Sequence, residues 1–403
     1  MSASPATDGR LLLTNVKPVA FGPGTPTTNI DVLVDADGTI AAFGPSLNVP
    51  QDVHRLDGNG AWISPGWVDL HTHIWHGGTD ISVRPQVCGA ERGVTTIVDA
   101  GSAGEANFHG FREYIIDPAR ERIKAFLNLG SIGLVACNRV SELSDIRSID
   151  IDRTVACVNE NPDHIVGLKV RASHVITGSW GVTPVKVGKK IAKILKIPMM
   201  VHVGEPPALY DEVLEILGPG DIITHCFNGK VGSSIIEDED LFELAARCAG
   251  EGIRLDIGHG GASFSFRVAE VAIKRGLLPF SISTDIHLRS LNFAVWDLAT
   301  TMSKLLNVGM PFDKVVEAVT LSPASAIGLP TENLLSVGTR ADFTIFEVDD
   351  ADLTVIDSMG YEARLEKLFE PLWAVLGNEL VKAGRYQPVK PETSGAIAPY
   401  SYR

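Results

Sequence analysis

The 403-residue sequence predicts an α/β protein: a distorted (β/α)8 barrel of the TIM type over residues 63–332, beside a small β-sandwich built from both chain termini, residues 1–62 and 333–403. Three observations predict it. Eight short apolar runs alternate with helix-like stretches through the middle of the chain. The segments on either side share a β-rich texture broken by turns. Residues able to hold a metal fall at the C-terminal ends of the apolar runs, where a barrel gathers its chemistry.

Composition sets the outer bounds. With 45% hydrophobic and 21% charged residues, the chain can bury a large core; a single barrel absorbs about 250 residues. The net charge is −14 with no basic stripe, which argues against nucleic acid or an anionic membrane as a partner. Five cysteines, odd in number and without a CxxC pair, read as reduced thiols of a cytoplasmic protein. The N-terminus lacks the basic and apolar regions of a signal peptide. No apolar run approaches the roughly 18 residues that span a bilayer. The expectation is a soluble cytoplasmic enzyme.

In chain order, Leu11–Leu13, Asp31–Val34 and Thr39–Phe43 are short strands, separated by turns such as Asp37-Gly38 and Gly58-Asn59-Gly60. The same texture returns at Gly338–Phe346 and Trp373–Gly377. Each terminal piece is too small to hold a core, so the two are expected to pack together, and the tail after Pro391 is expected to be mobile. Between them the apolar runs are 66–70, 94–98, 123–129, 165–170, 198–203, 221–225, 253–257 and 279–284. Helical stretches intervene, among them Val185–Leu195, Ala208–Leu217 and Asp238–Cys248.

The first run ends at His71-Thr72-His73. Residues i and i+2 of a strand point to one face, so both imidazoles can grip one ion. Later runs end at Lys169, His202, His225 and Asp285. His71 and His73 would hold a first ion that Asp285 completes; His202 and His225 would hold a second. Each ion then still needs a shared ligand. Lys169 sits in an apolar strand, where burial lowers an amine's pKa. A neutral amine can add carbon dioxide to give a carbamate with two bridging oxygens (N6-carboxylysine); the alternative is a lysine whose head reaches solvent. Zinc suits imidazole and carboxylate, although manganese, iron or cobalt fits the same cage.

Other residues are placed by position. Arg171, two beyond Lys169, faces the same side and would stabilise an oxyanion or grip a substrate carboxylate; its other reading is an ion pair with a barrel acid. His259 and Gly260 follow an apolar run, and His287 and Arg289 lie just past Asp285; these line the pocket or belong to ordinary loops. His76 and His174 also lie near strand ends. Cys226 adjoins His225 but faces the other way.

These motifs are similar to the binuclear branch of the amidohydrolase superfamily, where HxH, a bridging carboxylated lysine, two histidines and a terminal aspartate match His71, His73, Lys169, His202, His225 and Asp285 in type and order. The likeness extends through Leu321-Ser322-Pro323-Ala324-Ser325-Ala326 to Gly338–Phe343. Asp99–Gly104, Lys169–Ser173, His202–Pro207, His225–Gly229 and Asp256–Gly260 most resemble a deacetylase branch often misnamed dihydroorotase. That resemblance implies two zinc ions per subunit and removal of acetyl from small acylated carboxylates: α-acetoxy acids such as acetyl-(R)-mandelate, and N-acetyl-D-amino acids. It also implies Asp285 as proton shuttle and a homo-oligomer. True dihydroorotases carry an arginine two positions after the second histidine, and Trp75 stands there, a substrate-facing position. A cyclic-amide hydrolase (dihydroorotase- or hydantoinase-like) and a non-catalytic scaffold are the alternatives.

Overall fold

The computed structural model describes residues 9–21, 25–137 and 139–389, so the tail after Pro391 lies outside the described residues. The N-terminal strands are β1 (Leu11–Pro18), β2 (Ile30–Val34), β3 (Ile40–Gly44), β4 (His54–Asp57) and β5 (Trp62–Pro65). Seven strands then run parallel in sequence order: β6 (Trp67–Thr72), β7 (Val94–Gly104), β8 (Arg122–Asn128), β9 (Ile165–Ala172), β10 (Met199–Val203), β11 (Ile222–Thr224) and β12 (Arg254–Asp256). The chain closes with β13 (Asp342–Ile356), β14 (Glu362–Leu376) and β15 (Glu379–Lys382).

The parallel sheet is covered on both faces, which explains why β6 and β7 are buried at every position and read as continuous apolar runs. Helices Thr183–Leu195, Tyr210–Ile216 and Glu239–Gly250 stand where the apolar period placed them. Gly188 allows close packing of the first. A Cβ there would lie 2.8 Å from Val170 Cγ2 and 3.0 Å from Met199 Sδ.

The eighth run, 279–284, differs from expectation. It makes no regular strand but closes the circle by two bridges, Ser281 to Asp256 of β12 and Ile286 to Thr72 of β6. Its side chains explain the irregularity. Ser281 and Ser283 donate to Asp256 at 2.6 and 2.8 Å, and Thr284 donates to Asp69 through its hydroxyl (2.6 Å) and its amide (3.0 Å). Short hydroxyl side chains compete with a backbone ladder in this way. Burial pushes the Asp69 carboxyl up to about 7 against these hydrogen bonds.

Outside the barrel, the terminal strands form one sheet in the order β15-β14-β13-β5-β1-β2-β3, with β4 parallel to β1. β1 bends at a register shift between Leu13 and Val16, with Asn15 at φ +55°, and so joins two ladders. Leu11, Leu13, Val32, Ile63, Phe343, Ile345 and Val375 make their common core, which draws on both chain ends as the texture implied. The β13–β14 hairpin then leaves that core. Phe346, Val355, Leu365 and Phe369 join the barrel's own apolar cluster, and Phe369 stacks on Phe312 at 5.9 Å. Each such buried side chain contributes about 1.5–3 kcal/mol. The hairpin tip, Asp357–Tyr361, is thereby fixed beside the barrel loops, where Ser358 N donates to Phe264 O at 3.1 Å. Among the described residues no helix is long and apolar enough to cross a membrane.

Candidate metal centre

Six side chains meet at the C-terminal mouth of the barrel. His71 lies in β6, one residue before its end, and His73 follows the strand; Lys169 lies within β9 and His202 within β10; His225 stands just beyond β11 and Asp285 in the closing segment. The last two have φ +70° and +47°. Left-handed backbone at such residues costs of order 1–3 kcal/mol. It turns both side chains toward the others.

The distances define one cluster. Asp285 Oδ1 lies 3.1 Å from His73 Nε2 and 3.4 Å from His71 Nε2, while Oδ2 lies 4.0 Å from His225 Nε2. Lys169 Nζ is 3.1 Å from His71 Nε2, and His202 Nδ1 is 2.8 Å from His225 Nε2. His71, His225 and Asp285 offer ligand atoms all within 4.8 Å of one another.

Hydrogen bonds behind two of these rings assign their tautomers. His225 Nδ1 lies 2.6 Å from Gly258 O, which only accepts, so Nδ1 carries the proton and Nε2 a lone pair. The Thr224 hydroxyl donates to Asp256 Oδ2 at 2.7 Å and therefore accepts from His71 Nδ1 at 2.9 Å, leaving His71 Nε2 bare as well. His73 Nδ1 lies 3.0 Å from Ser102 Oγ. Both Nε2 lone pairs are turned toward the Asp285 carboxylate, with Lys169 Nζ beside the first and His202 Nδ1 beside the second. The donor set suits divalent ions that accept imidazole and carboxylate.

Electrostatics point the same way. Burial, more than any neighbouring charge, holds His71 and His202 well below the usual imidazole range and His225 at about 3. The rings are therefore neutral, the form that binds a metal. Burial would raise Asp285, but the rings of His71 and His73 outweigh it and keep the carboxyl well below its usual range. Burial pushes Lys169 down to about 7 despite the pull of Asp285 and Asp256. Its uncharged amine is thus accessible at neutral pH, as carbamate formation requires.

The remaining sequence-derived candidates fall out differently. Arg171 makes the ion pair that was its second reading: Nε and Nη2 meet the two oxygens of buried Glu142 at 2.6 and 2.7 Å. Burial would lower its pKa, and Glu142 raises it further still. The His287 ring centre lies 6.4 Å from that of His73, and burial pushes the ring down to about 4. Arg289 Nη2 is 4.0 Å from Asp80, whose carboxylate Arg139 grips at 2.9 Å. Trp75 packs on Phe111 at 5.7 Å. The side chain of His259 is engaged away from the cluster. Its Nε2 takes Lys304 Nζ at 2.9 Å and its Nδ1 meets Gly260 O at 2.9 Å, so neither nitrogen is left for a substrate. Gly260 does touch the site, since a Cβ there would lie 2.4 Å from Asp285 Oδ2.

Sequence reasoning missed Glu142, Thr224, Ser102 and the supporting role of Asp256. Asp256 ends an apolar strand much as the converging residues do, so the same rule could have found it. Glu142 sits in an irregular segment after β8 and carries no periodic signal.

No family model matches the chain. A protein named deacetylase from Brucella anthropi is 75% identical over 378 residues, 94% of either chain. Another deacetylase, from Agrobacterium fabrum, is 75% identical over 94% of this chain and 93% of its own. A solved structure described as a dihydroorotase superposes with a TM-score of 0.92 at 73% identity, covering 94% of this chain and 99% of that one.

Proposed function

This chain belongs to the deacetylases of the amidohydrolase superfamily, and from that premise we propose that it is a binuclear zinc hydrolase removing acetyl from small α-acetoxy carboxylates and N-acetyl-D-amino acids. One observation carries the reading: the unprotonated Nε2 atoms of His71 and His225 converge on the Asp285 carboxylate, all three side chains buried. His71, His73 and Asp285 would hold one ion, His202 and His225 the other, and Lys169 as its carbamate would bridge them; manganese, iron or cobalt would fit the same donors. Such a pair supplies Lewis acidity and lowers the pKa of a water from about 15.7 toward 7.

The chain's own groups do the rest. Asp285, ionised and held against Gly260, takes the proton of the attacking water and returns it to the leaving oxygen or nitrogen. Backbone hydrogen bonds fix its position, with Asp285 N donating to His71 O at 2.6 Å. Arg171, locked in orientation by Glu142, presents positive charge to the substrate carboxylate or the developing oxyanion. His287 and Arg289 line the mouth beside it, and their side chains bear on specificity.

The name dihydroorotase on a 73% identical structure favours a second reading, a cyclic-amide hydrolase. Trp75 counts against it, because its ring is packed on Phe111 where a carboxylate-binding arginine is expected. A substrate panel of acetyl esters, N-acetyl-D-amino acids, dihydroorotate and hydantoin separates the two. Turnover is expected for the acetylated acids and for none of the rings; turnover of ring amides alone would reverse the reading. Lys169→Ala should abolish activity and lower bound metal below two equivalents. Full metal and full activity in that variant would remove the bridge.

A further inference from the structure

The loop Gly258-His259-Gly260 supplies two things to the centre: the carbonyl that orients His225, and the backbone against which Asp285 rests. Gly258 and Gly260 have φ +46° and +54°, which glycine adopts freely, so the loop's own backbone does little to fix its position. Support comes from behind. Lys304, in the helix Leu298–Asn307, is wholly buried. Its Nζ lies 2.9 Å from His259 Nε2, 2.6 Å from Ala294 O and 2.7 Å from Ile356 O. Gly260 O fixes the His259 proton on Nδ1, and the two carbonyls only accept. All three partners accept, so the charged amine can give a proton to each, although burial pushes Lys304 down to about 7 against the pull of Asp357 and Asp297. Ile356 ends β13, and its neighbour Ser358 donates to Gly260 O at 2.8 Å. Asp357 holds that hairpin tip in shape by accepting from Phe266 N, Met359 N and Tyr361 N at 2.8–3.0 Å. The His259 ring itself stacks on Phe264 at 4.6 Å.

We infer that Lys304 is a positioning residue of the metal centre, a three-way ammonium brace that ties the hairpin from the C-terminal sheet to His259 and so sets the loop on which His225 and Asp285 depend. This rests on the metal-centre reading above. A purely structural lysine would serve as well anywhere in the core. Here each of its three acceptors belongs to a different segment, and one of them is the loop touching two ligands. The brace makes the C-terminal hairpin a part of the site without its contributing any group to the reaction.

The test compares the zinc-loaded wild type with Lys304→Met, His259→Phe and the double variant. His259→Phe keeps an aromatic ring on Phe264 and removes the bonds to Lys304 and to Gly260 O, whereas Lys304→Met leaves the second of these in place. Zinc release to a chelator, kcat, KM and urea unfolding are read on each. Partners behind a ligand typically contribute 10–100-fold in metal affinity or activity. Each single variant should release zinc about 10–100-fold faster and lose kcat by a similar factor, with KM within about threefold. The double should be no worse than the worse single. Wild-type release and kcat in a folded His259→Phe, or a double whose losses multiply, would overturn the brace. If the wild type holds no zinc, the functional reading fails and the brace is judged separately. Amide exchange at 257–261 should then quicken in His259→Phe, and unchanged protection would overturn it.

Discussion

Replacing Arg171 by methionine separates its two readings. Its guanidinium spans both oxygens of Glu142 at 2.6 and 2.7 Å, with the two side chains 9% and 1% exposed. Removing one partner of a buried pair strands the other charge, at about 3–5 kcal/mol. Replacing both by apolar groups of similar volume returns stability to within about 1 kcal/mol of wild type or above it. A preorganised donor aimed at developing charge contributes about 10²–10³ in turnover, or 2.7–4 kcal/mol. Urea unfolding should therefore place Arg171→Met about 3–5 kcal/mol below wild type. It should place Arg171→Met/Glu142→Leu near wild type. Against an acetylated hydroxy acid, both variants should lose about 10²–10³ in kcat/KM. A double variant that regains stability and turnover together would reduce Arg171 to an ion pair. A double that stays unstable would show that the stranded carboxylate is not the source of the loss.

Three further outcomes are expected. Gly258→Ala puts a methyl 2.2 Å from Thr224 Oγ1 and 2.8 Å from His225 Nδ1 at positive φ, so denaturant unfolding should show a loss of about 2–5 kcal/mol; a neutral result means the loop moves freely. Burial would raise the Glu205 carboxyl, but Lys230 (2.7 Å) and Ser173 reverse this and hold it at about 2. Its folded pKa lies below the ordinary 4.5, so its contribution is complete above that pH and fades as pH falls toward 2. Metal-free Glu205→Gln should accordingly lose less stability than wild type over this window, as followed by thermal melts, and parallel curves would discount the contact. Dialysis against a strong chelator should abolish turnover, and zinc with bicarbonate should restore it, whereas activity surviving at sub-stoichiometric metal contradicts the mechanism.

Much of this was legible in the sequence because parallel strands buried on both faces are written as unbroken apolar runs. Their last residues carry the chemistry, so β6 through β12 and five of the six converging side chains could be placed by reading run ends. Asp285 was legible too, although its run is no strand: the Ser and Thr side chains at 281–284 bond to Asp256 and Asp69 in place of a ladder. Position relative to solvent or site was harder to read. Spacing put His259 and Arg171 near the pocket but could not show the partners that engage them, Lys304 and Glu142, which are 45 and 29 residues away. Buried polar pairs of that kind leave no periodic trace. The lone charge in Leu298–Asn307 is the nearest thing to a sign of Lys304.

The central claim is tested most directly by diffraction from zinc-loaded crystals at the metal absorption edge. Two anomalous peaks about 3.5–4 Å apart are expected, one against His71, His73 and Asp285, the other against His202 and His225, with continuous density from Lys169 to both. A single peak, or a plain amine at Lys169 remote from either ion, would contradict it.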